Sequence, residues 1–74
     1  MIKLVFNQND FADNLREKRL ALNQTQVELA ESSGVSQQLI SKYEACDCTP
    51  TLANVARLAS ALGCTPNDLV GWPN

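Results

Sequence analysis

The sequence contains no histidine, only three cysteines, and fewer Lys and Arg (6) than Asp and Glu (8). Each shortage removes a class of function. Without histidine the commonest general base is missing; no Ser or Cys stands beside another base, and there is no glycine-rich phosphate loop, so nothing points to an enzyme. Cys46, Cys48 and Cys64 form a C-x-C pair plus a distant third, one short of the four ligands a structural zinc site takes, and they read as free thiols. No metal and no cofactor is expected. No apolar run approaches the roughly 18 residues of a membrane span, and the N-terminus has no signal-peptide pattern, so a cytoplasmic protein is expected.

The formal net charge of −2 weighs against a nucleic-acid partner, because phosphate contacts supply most non-specific affinity. Net charge does not describe a face, however. Arg16, Lys18 and Arg19 cluster on the first predicted helix and Lys42 lies on the third, whereas Asp10, Asp13 and Asp68 fall where first helical turns favour acids. The sequence leaves room for a local basic patch, and weak non-specific binding is the expectation.

What is present is a chain of 74 residues, 45% of them apolar: one domain with a modest core. Its centre is residues 23–45, NQTQVELAESSGVSQQLISKYEA. Thr25 and Glu28 have the spacing of a capping box, which starts a helix, and Asn23 before them tolerates the left-handed conformation that ends the preceding one. Val27, Leu29 and Ala30 give this helix a small apolar side. Gly34 supplies the positive φ that ends it, and Ser36 caps the next.

Rotation by about 100° per residue divides that next helix into two arcs: Gln37, Ser41, Gln38 and Lys42 span roughly 0–140°, and Leu39, Tyr43 and Ile40 roughly 200–300°. The second arc docks on a core. The first offers two neighbouring glutamines at a helix start, and a Gln amide can donate to and accept from an adenine edge in the major groove.

The flanking segments read as scaffold. Residues 1–6, MIKLVF, are β-prone and suit a short extended arm, either folded over the domain or paired with another arm in a dimer. A first helix over about 9–22 carries Phe11, Leu15 and Leu22 at helical spacing. From the cap Thr51, Leu52, Val55, Ala59 and Leu62, widened by Ala56 and Leu58, form the stripe of a helix over about 52–62 ended by Gly63. Thr65, Pro66 and Asp68 start a last short helix, which Gly71 stops. Val70 and Trp72 at this end either close the core or join two subunits.

The series Thr25-Gln26-x-x-Leu29-Ala30, Gly34-Val35-Ser36, Ile40-Ser41-x-Tyr43-Glu44, Pro50-Thr51-Leu52 and Leu58-Ala59-x-Ala61-Leu62-Gly63 resembles the XRE/Cro family of small helix-turn-helix regulators, which includes the lambdoid phage repressors, over roughly residues 9–70. The resemblance implies an all-α, five-helix lambda-repressor-like domain over residues 9–72 behind an arm over 1–8. It implies a sequence-specific transcriptional regulator, most simply a repressor, with double-stranded DNA as partner and a homodimer holding two third helices over a near-palindromic operator. By the same resemblance Gln26 holds a phosphate and orients Gln37, while Gln37, Gln38 and Lys42 reach base edges flanked by Ser36 and Ser41. Arg19 pairs with Glu44 as a structural clamp, and Cys64, where the family often has Val, is a small buried hydrophobe.

Three positions depart from the pattern. Gln24 replaces the usual apolar residue, leaving either a less well packed corner or a polar group beside DNA. Cys46 stands where Gly is usual, so either Cys46 takes the strained conformation or the turn differs. Asp47 stands where a basic residue is usual and adds repulsion toward phosphate. Asp47, the missing glycine at Cys46 and the excess of acids sustain a second expectation: the same fold acting as a protein-interaction module, an antitoxin or anti-repressor, with weak or no DNA binding.

Overall fold

A computed structural model describes residues 4–74. Among the described residues there are five helices and no strand: α1 (Gln8–Ala21), α2 (Gln26–Ser33), α3 (Gln37–Glu44), α4 (Leu52–Leu62) and α5 (Pro66–Val70). The arm expected over residues 1–6 lies partly outside the described residues. Its later part, Leu4 to Phe6, is neither helix nor strand.

The helix starts are built by side chains that satisfy free N–H groups. Asn7 Oδ1 accepts from the amides of Asn9 and Asp10, one residue earlier than the start expected for α1. In α2 the capping box is complete: Glu28 N donates to Thr25 Oγ1 at 3.1 Å and Thr25 N donates to Glu28 Oε1 at 2.9 Å. Ser36 and Thr51 cap α3 and α4, and Thr65 with Asp68 forms a second box on α5.

The two helix ends that frame α2 and α3 are closed by non-glycine residues. Asn23 at φ 55° follows α1, and its neighbour Gln24 donates its N–H to Arg19 O. Cys46 at φ 61° follows α3; its own N–H donates to Tyr43 O and the Asp47 N–H to Lys42 O, the paired bonds of a Schellman turn. Cys46 therefore does take the left-handed conformation, at a cost of about 1–2 kcal/mol that glycine would not pay.

α1 packs on α3 and α5, α2 on α3 and α4, and α4 on α5. Phe11, Leu15, Leu29, Ile40, Leu58 and Leu69 are the large side chains sealed at the centre, each worth about 1.5–3 kcal/mol of burial. Phe11 meets Tyr43 edge-on at 5.6 Å and Phe6 at 5.9 Å. Two polar ties lock the layers: Asn14 Nδ2 donates to Leu69 O, and Asn54 Nδ2 donates to the Tyr43 hydroxyl at 2.9 Å.

Four expected core positions lie outside it. Leu22 follows the last residue of α1 rather than continuing its face and is half exposed; Val27 is 54% and Leu52 80% exposed, and Ala56 is exposed. Periodicity places a residue on a face without saying whether another element covers it. Val70, conversely, is spent on the domain's own core, and Trp72 is partly buried, its indole Nε1 donating to Val5 O at 2.9 Å. Cys64 is partly buried against the core, and that burial pushes its thiol up, which keeps it neutral. Among the described residues no three His, Cys, Asp or Glu side chains converge as a metal site.

Beside the exposed Leu52 runs an apolar groove of about 270 Å³, walled by Phe6, Pro50, Leu52, Val55, Val70 and Trp72.

Candidate nucleic-acid interface

α3 is held so that one arc faces the core and the other faces out. Ile40 and Tyr43 are buried and Leu39 partly so, while Gln37, Gln38, Ser41 and Lys42 are exposed and together line a single shallow concavity. The six residues expected to meet DNA are not equivalent. Ser36, also exposed, has its hydroxyl engaged as an acceptor from the Leu39 amide, so its first task is to start the helix. Gln26, at the first position of α2, is only partly exposed and is bonded on both sides of its amide.

Those bonds belong to a relay that starts at the clamp. Arg19 and Glu44 make a two-pronged ion pair, Nε to Oε2 at 2.7 Å and Nη2 to Oε1 at 2.9 Å, with side chains only 11% and 6% exposed. The third arm of the guanidinium, Nη1, donates to Gln24 O at 2.8 Å. The hydrogen bonds to Glu44 raise the affinity of Arg19 for its proton. Gln26 Nε2 also donates to Glu44 Oε1, at 3.3 Å, and Gln26 Oε1 in turn accepts from Gln37 Nε2 at 3.2 Å.

The expected pair of Arg19 and Glu44 and the expected contact of Gln26 with Gln37 are thus joined end to end. The Gln26 to Glu44 link was not legible in the sequence, because it spans 18 positions and depends on how α2 crosses the end of α3.

Two of the three cations clustered on α1 are committed to other side chains rather than left as free surface. Arg19 is committed to Glu44, and Arg16 pairs with Asp13 at 2.8 Å while its Nη1 donates to Glu44 O at 3.4 Å. Asp13 accordingly serves Arg16 rather than the first turn, which holds only Asp10. Lys42 is the cation on the outer arc of α3, and exposed Asp47 lies five residues further on. Gln24 turns inward: its amide oxygen is buried with no hydrogen-bond partner among the described residues, a cost of about 1–3 kcal/mol at this corner.

Comparison with known proteins agrees with this geometry. A family model described as helix-turn-helix matches residues 15–69. The transcriptional repressor RstR of a cryptic CTXphi phage in Vibrio cholerae is 34% identical over 59 residues, which cover 80% of this chain and 53% of the relative, so the chain spans about half of that protein's length. Among solved structures, the restriction-modification controller protein C.AhdI from Aeromonas hydrophila superposes with a TM-score of 0.80 at 32% identity, covering 84% of this chain and 94% of that one. The P22 c2 repressor, solved with a synthetic operator, superposes with a TM-score of 0.76 at 32% identity, covering 81% and 91%. The chain belongs to the helix-turn-helix family, in its XRE/Cro branch of DNA-binding regulators.

Proposed function

We propose that this domain is a sequence-specific transcriptional regulator, most simply a repressor, that binds double-stranded DNA in the cytoplasm as a homodimer. One observation carries the reading: Gln37, Gln38, Ser41 and Lys42 form one exposed polar face on a helix whose opposite face is buried in the core. A short helix so mounted fits the major groove, with Gln37, Gln38 and Lys42 toward base edges, Ser41 beside them, and Gln26 and Ser36 toward the backbone. The reading includes an arm over residues 1–8 and a binding domain over 9–72.

A dimer sets two α3 helices about 34 Å apart, one turn of duplex, on a two-fold site. The groove at Leu52 and Trp72 suits the second copy, since Leu52 is a large apolar side chain left open to water beside it. The same groove, with Asp47 near α3, favours the second reading, in which this surface takes a different protein and DNA binding is weak.

Selection from a randomised duplex library at two salt concentrations, with the mass of the protein in solution, separates the two. Enrichment of a two-fold symmetric sequence by a dimer, weakening steeply as salt rises, is the expected result. No enrichment at low salt by a folded protein would replace it with the protein-interaction reading.

A further inference from the structure

The relay beneath α3 has a direction. A side-chain amide fits its site either way round, and only its neighbours decide which end donates. An ionised carboxylate only accepts hydrogen bonds. Both oxygens of Glu44 accept from Arg19, so the end of Gln26 facing Oε1 must be the NH₂, and the 3.3 Å contact from Nε2 is of that kind. Gln26 then has its carbonyl left for Gln37, and accepts from Gln37 Nε2 at 3.2 Å. Gln37 is left with its own carbonyl oxygen and one N–H for an outside partner.

We propose that Glu44, which does not reach the exposed face, is a positioning residue that fixes the donor and acceptor order of Gln37 and thereby the base Gln37 prefers. The inference rests on the DNA-reading role given to α3 above. One acceptor and one donor side by side match adenine, which offers the N6 amino group and N7. Were Gln26 reversed, Gln37 would turn its carbonyl inward as acceptor and show two N–H groups outward, a pattern that matches the O6 and N7 acceptors of guanine. The choice between the two purines is thus made at the buried end of the relay, by the acceptor oxygens of Glu44. Lys42 and Gln38 lie outside the relay, so the bases they face are unaffected by it.

The test compares base preference position by position for the unmutated domain, Glu44→Gln and Gln26→Leu. Glu44→Gln keeps the shape but accepts or donates, which frees Gln26 to turn; Gln26→Leu removes the link while leaving Arg19 with Glu44. Both variants should reduce the preference for adenine over guanine at the Gln37 position by about tenfold, with little change at the other positions. An unaltered preference at the Gln37 position, whatever happens to overall affinity, would overturn the proposal.

A measurement free of DNA accompanies it, and serves if Glu44→Gln does not fold. In the unmutated domain the Gln26 side-chain amide protons should give nuclear Overhauser contacts to the Glu44 side chain; their absence, with contacts to the Gln37 side chain alone, would contradict the assigned direction. Failure to enrich any sequence would instead count against the regulator reading while leaving this second measurement standing.

Discussion

The outer face of α3 and the groove beside α4 and α5 are both exposed, but they are exposed in opposite ways. On α3 the side chains are polar, and at least one of them, Gln37, has its hydrogen-bonding direction set from beneath by Gln26 and Glu44. Around the groove, Leu52, Val55, Pro50 and Trp72 offer apolar surface with no such direction. A directional face discriminates among partners by donor and acceptor pattern; an apolar one contributes affinity in proportion to the area it buries. On the proposed reading, one small domain keeps DNA recognition and association on separate surfaces, which lets each be altered without the other.

The strongest way to break this division is from inside. Glu44→Ala leaves Arg19 buried without its carboxylate and should cost on the order of 3–5 kcal/mol in chemical denaturation, enough to threaten the folded state of a domain this size.

Gln37→Ala touches only the polar face. It should reduce discrimination at one base position by about 1–3 kcal/mol without altering the solution mass, and position-by-position binding measurements check this.

Leu52→Lys is its counterpart on the other surface. Because Leu52 is 80% exposed in the monomer, folding should be unchanged within about 0.5 kcal/mol. Self-association should weaken by about 1.5 kcal/mol per copy, which sedimentation reads directly.

A smaller effect is expected in the turn after α3. Cys46→Gly relieves the left-handed strain but loses the thiol contact to Asn9 Oδ1 at 3.2 Å and loosens the unfolded chain, so thermal melting should shift by less than about 1 kcal/mol.

Acid should reach the α5 cap only below the ordinary carboxyl range. Hydrogen bonds from Asn74, then from the amide and hydroxyl of Thr65, hold the Asp68 carboxyl below its ordinary value of 3.8. A depressed carboxyl contributes stability that is complete above that ordinary value and is lost as pH falls through the lower folded one. The α5 cap should therefore persist through pH 4 and loosen below it, as amide exchange in Pro66–Val70 would register.

How much of this was legible beforehand follows the range of the forces involved. The capping box of Thr25 and Glu28, the stop at Asn23 and the two arcs of α3 depend on neighbours within a turn or two, and the sequence carries them. The pairing of Arg19 with Glu44 came through family resemblance, since 25 positions separate the partners. Leu22, Val27 and Leu52 looked like core because their spacing suited it, yet no neighbouring helix covers them. Two of the three α1 cations are tied up for a related reason: Arg16 and Arg19 both lean on the end of α3, a contact set by helix crossing and invisible to a count of charges. The roles of Gln37, Gln38, Ser41 and Lys42 toward DNA stay with the proposal.

The most direct test is a titration of the isotope-labelled domain with a duplex carrying a single half-site, followed by NMR of backbone and side-chain amides. The account predicts the largest shifts at Gln37, Gln38, Ser41 and Lys42 and at the Gln26 side chain, with the surroundings of Leu52 and Trp72 undisturbed. Shifts centred on the groove, with α3 unmoved, would contradict it.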